Sequence, residues 1–240
     1  MPSRRKPIEE REALTPERIA RAALEIVEES GYGSLSMRAV AGRLNTGQAS
    51  LYAHVRNKAD LDRIMVESAW AQFQPSTSGS WRERLASDAA QTQRLYARYP
   101  GLAVAALASL PRSQRLADGL EQRYELFVSL GLDIRQAHAA HIALALLPTG
   151  RAIEDAVIAE RIAESGLTTD EWWQRARNAI ASVAETRPLT AQMSHWLTPE
   201  GRARLSAELV QLVLDGIQAR YGVGAPDDSS PDSTDEGNST

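Results

Sequence analysis

The chain has 240 residues, a formal net charge of −4 and no cysteine. Its length leaves room for one large domain or two modest ones, and the lack of cysteine excludes disulfides and thiolate metal sites. No stretch approaches the roughly 20 apolar residues that span a bilayer, and no apolar run follows the basic N-terminus as in a signal peptide. Aromatic residues are few, which favours helix over strand. We therefore expect an all-α, cytoplasmic protein with no membrane partner.

Positive charge is concentrated in one segment despite the acidic total. Residues 30–59 contain no acidic residue but carry Arg38, Arg43, Arg56 and Lys58. A local window of this kind matters more for phosphate binding than the charge of the whole chain, because charges more than about 10 Å apart are largely screened at ordinary salt. This segment is therefore a candidate for contact with nucleic acid.

The N-terminal part of the chain predicts a flexible arm followed by a helical domain. Residues 1–13 are polar and charged. Thr15 is a good N-cap, and the apolar stripe that follows it at helical spacing ends at Gly31. Three further helices are expected before the break at residues 74–80, so the domain is expected to span residues 14–73.

A tight turn joins the second and third of these helices. Ser36 caps the second helix, and Asn45, one of the few residues that accept a left-handed conformation, ends it. The third helix is expected from Gln48 to about Val55, after which Asn57 caps the fourth. Two short helices joined by so short a turn are typical of a helix-turn-helix.

Beyond residue 80 the spacing of proline and glycine predicts only helices. They are expected at residues 81–98, 101–109, 112–130, 133–164, 169–185 and 199–221. Pro148 lies inside the longest of them and should kink it. Residues 222–240 are acidic and have no apolar run, which predicts a disordered tail.

The run from Leu35 to Leu61, LSMRAVAGRLNTGQASLYAHVRNKADL, closely resembles the DNA-binding domain of the TetR family. The resemblance implies an N-terminal three-helix helix-turn-helix domain, a connecting helix and a C-terminal helical domain for effector binding and dimerisation, over residues 80–221. Met37 and Asn45 stand where tetracycline repressors have Thr and Gly, which leaves the operator sequence open. The resemblance also implies DNA contacts at Arg38, Gln48, Ala49, Ser50, Tyr52, His54 and Lys58.

The residue types at these positions suit DNA recognition. A recognition helix enters the major groove by its N-terminal end, where small or amide side chains fit. Gln48 can bond an adenine edge bidentately, and Ala49 can contact a thymine methyl group. Tyr52 and His54 lie further along the helix and suit the DNA backbone. Lys58 begins the fourth helix, where charge and helix dipole both favour a phosphate.

Residues 80–164 resemble, more loosely, the ligand-binding domain of the tetracycline repressors. Ala105 stands where those proteins place a metal-binding His, so we expect no magnesium–tetracycline effector and no metal or other cofactor. Polar side chains of this region either line a pocket or face solvent. The spacing of His138 and His141 is compatible with a metal, but no third ligand is defined. The candidates for ligand binding are Asp88, Gln91, Thr92, Arg123, His138, His141 and Glu154.

The resemblance implies a homodimeric repressor that leaves palindromic operator DNA when a small organic effector binds. Apolar stripes on the helices near 133–164 and 199–221 offer a dimer surface. The basic residues 4–6 are either an arm for the minor groove or part of a solvated tail. An effector-free regulator or activator is one alternative. An enzyme is a more distant one, because the chain has no phosphate-binding glycine loop, no His-Glu-x-x-His and no Gly-x-Ser-x-Gly elbow.

Overall fold

The computed structural model describes residues 13–108 and 113–223, and this part of the chain contains helices and no strand. The expectations for the N-terminal arm and the acidic tail thus fall almost entirely outside the described residues. None of the described helices is long and apolar enough to cross a membrane. The α-helices are α1 (Pro16–Ser30), α2 (Met37–Arg43), α3 (Gln48–Tyr52), α4 (Lys58–Trp70), α5 (Trp81–Arg98), α6 (Leu102–Ala108), α7 (Gln114–Ser129), α8 (Ile134–Ser165), α9 (Thr169–Ala181), α10 (Pro188–Gln192) and α11 (Pro199–Tyr221).

The predicted caps set the starts of the first helices. The side chains of Thr15, Ser36 and Asn57 each accept a hydrogen bond from the backbone N–H three residues later, at 3.2, 3.1 and 2.9 Å. Each bond satisfies a backbone donor that the first turn of a helix leaves without a partner. Asn45 has φ +49°, which confirms the left-handed turn between α2 and α3.

Several helix ends differ from the prediction. Helix α3 ends at Tyr52 and not near Val55, because Val55 turns back into the core and is fully buried. Helix α4 ends at Trp70 and not at Phe73. Just beyond it, the N–H groups of Gln72 and Phe73 donate to carbonyl groups three residues earlier, as in a 3₁₀ turn. Helix α9 ends at Ala181. The sequence reading also missed α10 and the 3₁₀ turns at Tyr32–Ser34 and Met193–Trp196.

Two clusters of buried apolar side chains hold the molecule together. The first joins the N-terminal helices to α5 and α6, since Val27, Leu61 and Met65 belong to the same cluster as Leu95 and Leu102. The second lies between the longer C-terminal helices. Its buried side chains include Leu85 of α5, Phe127 of α7, Leu144 of α8 and Leu214 of α11. The shared first cluster fixes the N-terminal helices against the rest of the molecule.

Tyr32 lies close to Pro100 and Gly101 at this junction. The N–H of Tyr32 donates to the carbonyl of Pro100 at 2.9 Å. A Cβ atom on Gly101 would lie 2.6 Å from the Cβ of Tyr32, and Gly101 itself has φ +86°. Both the space and the backbone conformation therefore require glycine at this position.

Replacing Gly101 with Ala should loosen this junction. The added methyl group must displace Tyr32, and the left-handed backbone is strained for alanine, so we expect the free energy of unfolding to fall by about 1–3 kcal/mol. Urea denaturation followed by circular dichroism measures the change. Gly119→Ala is the matched control, since Gly119 lies within α7 with open space around it and should gain about 0.5–1 kcal/mol. Equal stabilities for the two variants would contradict this account of the junction.

Candidate functional site

One exposed surface carries the side chains predicted to read DNA. Arg38 on α2 and Gln48, Ala49 and Ser50 on the first turn of α3 are all exposed. Leu51, the next residue along α3, is fully buried and anchors the helix to the core. The short helix therefore presents its first turn to solvent from a fixed position, which is the geometry that insertion into a groove needs.

Tyr52 and His54 are also exposed, at and just beyond the end of α3. Lys58 is placed differently, because it is half-buried and paired within the protein. Its Nζ forms an ion pair with Asp62 one turn further along α4 and lies 4.2 Å from the centre of the Tyr32 ring. The Tyr32 hydroxyl in turn donates to Asp62 at 2.9 Å. The ammonium group is thus held in one place at the beginning of α4.

The other two cations of the acid-free segment differ in availability. Arg56 has an 81% exposed side chain, although it lies 3.7 Å from Asp60. Arg43 forms ion pairs with Glu25 and Glu29 of α1. Its hydrogen bond holds the pKa of the Glu29 carboxyl below the ordinary value. Residues 30–59 contain no acidic residue, but the fold brings two glutamates of α1 next to this segment.

A cavity of about 550 Å³ lies between α4, α5, α6, α7 and α8. Three aromatic rings form part of its wall. Trp70 at the end of α4 packs edge-on against Phe73 and Tyr96, with ring centres 5.4 and 6.0 Å apart. A wall of this kind suits an organic molecule that buries most of its surface. Because α4 supplies part of the wall, the cavity adjoins the helix that follows α3, whose exposed first turn is predicted to read DNA.

The structure brings some of the predicted ligand residues together at this cavity. Thr92, Arg123 and His141 line it. Asp88 lies behind Arg123, with which it forms an ion pair of 2.8 Å, and it also accepts the N–H of Ser76 at 2.9 Å. Asp88 is only 6% exposed, and burial raises the pKa of its carboxyl while these contacts oppose the rise. This ion pair positions Arg123 at the cavity wall.

The remaining three candidates do not line the cavity. Gln91 lies on another face of α5, and Glu154 is exposed and bonds Arg202 of α11 at 3.0 Å. His138 is exposed, and its Nδ1 lies 2.8 Å from the Tyr124 hydroxyl. Their side chains point away because each sits on a face of its helix that looks toward solvent or a neighbouring helix. No cluster of three potential metal ligands occurs among the described residues.

Several polar residues of the cavity wall were not predicted from the sequence, among them Arg63 and Glu67 on α4. Arg63 and Glu67 form an i,i+4 ion pair of 3.0 Å, a spacing that the sequence displays. The sequence places α4 in the segment 14–73 predicted to bind DNA, and the ligand contacts were predicted from the later helices only. Ala105 of α6 is buried in the shared core and does not line the cavity.

Comparison with known proteins identifies the family. Residues 19–62 match the model for bacterial regulatory proteins of the tetR family, and residues 74–221 match that for the tetracyclin repressor-like C-terminal domain. The chain belongs to the TetR family of transcriptional regulators. The transcriptional repressor DrrR1 of Streptomyces coeruleorubidus is 30% identical over 222 residues, which cover 89% of this chain and 82% of DrrR1.

Other TetR-family proteins match with the same helical architecture. The class D tetracycline repressor protein of Escherichia coli is 30% identical over 145 residues, 59% of this chain and 66% of that protein. The crystal structure of the family member ActR of Streptomyces coelicolor in complex with actinorhodin has a TM-score of 0.73 at 24% identity. That alignment covers 89% of this chain and 99% of ActR. At this identity the likeness establishes the fold.

His141, in the cavity wall, should make the stability of the protein depend on pH. Burial, and secondarily the charges of Arg123 and His138, lower the pKa of His141 from 6.5 to about 4. Between pH 6.5 and 4 the unfolded chain therefore binds a proton at His141 that the folded chain does not bind. The free energy of unfolding, which is largest above pH 6.5, should fall as the pH falls toward 4. Unfolding measured between pH 6.5 and 4 should show a shallower loss in His141→Phe than in the wild type. The same slope in both proteins would contradict this assignment.

Proposed function

We propose that this protein is a homodimeric repressor that binds palindromic operator DNA and leaves it when a small organic molecule fills the cavity. One observation carries the proposal. Helix α4 begins at Lys58 beside the DNA-reading surface and ends at Trp70 in the cavity wall. Repression, the dimer, the effector and action in the cytoplasm are all part of the proposal. DrrR1, a repressor by name, supports repression, and the structure of ActR in complex with actinorhodin supports a small-molecule effector.

Base reading would fall to the first turn of α3. The exposed amide of Gln48 can pair with an adenine edge, and Ala49 and Ser50 are small enough to let the helix approach the bases. Arg38 would reach a guanine edge or a phosphate from α2. The exposed ends of Tyr52 and His54, together with Lys58, would contact the DNA backbone, which fixes register without reading sequence.

Dimerisation would use α8 and α11. Large apolar side chains on both helices are exposed in the single chain, with Leu146 at 55% and Leu212 at 58%. Ile142 and Leu209 are exposed beside them. A second copy covering this surface would bury the apolar area and hold two copies of α3 at a fixed separation. Half-sites about one helical turn apart could then be read as a palindrome.

Release would follow from movement of α4. A chain of contacts runs along this helix from the cavity: Glu67 bonds Arg63 at 3.0 Å, Arg63 bonds Asp60 at 2.7 Å, and Asp60 accepts the N–H of Arg56 at 3.1 Å. An effector that displaces the cavity end of α4 would therefore shift the end next to α3. If it prefers the released state a hundredfold, each site contributes about 2.7 kcal/mol to the shift.

Substitutions on the DNA-reading surface should separate recognition from general affinity. Gln48→Ala should relax discrimination at one base pair by about 1–3 kcal/mol, because the amide of Gln48 is expected to read the edge of a single base. Lys58→Met should weaken binding to all sequences and flatten the salt dependence, because it removes a phosphate contact. Fluorescence anisotropy with an operator selected from random DNA, and with single-base variants of it, measures both. An equal loss for Gln48→Ala on specific and random DNA would show that α3 does not read bases.

The effector proposal can be tested by screening organic molecules for release of the selected operator. Because Ala105 occupies the position of the metal ligand in tetracycline repressors, release should need no divalent ion. Operator binding is measured with each compound in the presence and absence of EDTA. The expected result is an effector whose half-maximal concentration is the same under both conditions. Release that disappears in EDTA would contradict the metal-free mechanism, and an operator affinity unchanged by any bound compound would contradict effector control.

A further inference from the structure

Two buried side-chain atoms lack a hydrogen-bond partner within the part of the chain that the structure describes. They are Oε1 of Glu67 and Nδ1 of His141. Both residues line the same cavity, Glu67 from α4 and His141 from α8. Buried polar atoms without a partner cost free energy, and most such atoms in folded proteins are paired. Their occurrence in a single cavity indicates that a molecule bound there supplies the partners.

The chemistry of Glu67 defines one of these partners. An ionised carboxylate only accepts hydrogen bonds. Its other oxygen, Oε2, is already held by Arg63 at 3.0 Å, so the side chain is fixed with Oε1 free. The atom that meets Oε1 must therefore carry a hydrogen, and an ether or carbonyl oxygen cannot take this place.

His141 defines the other partner. Its pKa of about 4 makes the ring neutral at physiological pH, and a neutral imidazole nitrogen either accepts or donates according to the tautomer. A hydroxyl group both donates and accepts, so it satisfies Nδ1 in either tautomer. A hydroxyl also meets the requirement at Glu67. The rings of Trp70, Phe73 and Tyr96 supply a flat apolar surface in the same cavity.

We propose that the effector is an aromatic molecule with at least two hydroxyl groups, one of which donates to Glu67 while another pairs with His141. This inference rests on the proposed effector-responsive function and names the class of molecule that the cavity selects. Selectivity arises because a molecule of the same shape without hydroxyls would bury both atoms and leave them unpaired. Sites built to pair a hydroxyl reject such analogues strongly.

A matched pair of probes tests the inference with the full-length protein. The probes are 2,6-dihydroxynaphthalene and 2,6-dimethoxynaphthalene, which share a ring system but differ in the donor. Binding is followed by isothermal titration calorimetry and by tryptophan fluorescence, to which Trp70 of the cavity wall contributes. We expect the dihydroxy compound to bind at least ~10-fold more tightly to the wild type, because the dimethoxy compound leaves the Glu67 oxygen without a donor. Equal affinities, or no binding of either probe, would overturn the inference.

Substitutions in the cavity wall test which side chains cause the preference for the dihydroxy probe. In Glu67→Met and in His141→Phe the preference for the dihydroxy probe should fall at least several-fold. Glu121→Met is the matched control, since Glu121 is exposed on α7 outside the cavity wall, and it should keep the wild-type preference. Glu67→Gln, which preserves the size of the side chain, replaces Glu67→Met if thermal melting shows that the latter does not fold. An unchanged preference in both cavity variants would overturn the inference.

Operator binding separates failure of this inference from failure of the proposed function. If the dihydroxy probe binds selectively but leaves operator affinity unchanged, the cavity recognises hydroxyls as inferred and the release function is wrong. If molecules without hydroxyls bind the wild type as tightly and still release the operator, the function stands and the inference is wrong.

Discussion

Helix α4 belongs both to the core of the N-terminal helices and to the wall of the cavity. Its buried side chains, among them Leu61 and Met65, belong to the cluster that unites the N-terminal helices with α5 and α6. Its last residue, Trp70, forms part of the cavity wall. A helix of 13 residues is about 20 Å long and does not bend readily, so a displacement at one end reaches the other. In the proposed function, the surface that reads DNA and the cavity are therefore coupled through one rigid helix.

A second contact joins the same two regions through Tyr32. Its backbone N–H is bonded to Pro100, where α5 ends, while its ring lies under Lys58 and its hydroxyl bonds Asp62. Burial, and then the bond to Asp62, raises the pKa of Tyr32 to about 12, so the hydroxyl remains a donor at physiological pH. Movement of the α5–α6 turn would thus reach the beginning of α4 directly. The C-terminal helices thus contact α4 at both ends: through Trp70 at its end and, by way of Tyr32, through Lys58 and Asp62 at its beginning.

Local chemistry was predictable from the sequence, and spatial neighbours were not. The caps at Thr15, Ser36 and Asn57 were predicted because each depends on residues within one turn of the chain. The pairing of Arg43 with Glu29 was not, because α1 brings that acid next to a segment that has none of its own. The same limit explains Glu67: its presence in the cavity wall depends on how α4 packs against α6, which the periodicity of the sequence does not reveal. Residue type alone indicates which side chains can bind a ligand. The rotation of each helix about its axis determines which of these side chains line the cavity, and the sequence does not show that rotation.

The most direct test of the coupling through α4 is the distance between the two DNA-reading surfaces of a dimer. The chain has no native cysteine, so a single Ala53→Cys, exposed just after α3, carries one nitroxide label per copy. Double electron–electron resonance then compares the operator-bound protein with the protein released by an effector that the operator-release screen has identified. The account predicts two distinct distance distributions, with the released state outside the spacing that fits the operator. An identical distribution in both states, with the operator nevertheless released, would contradict it.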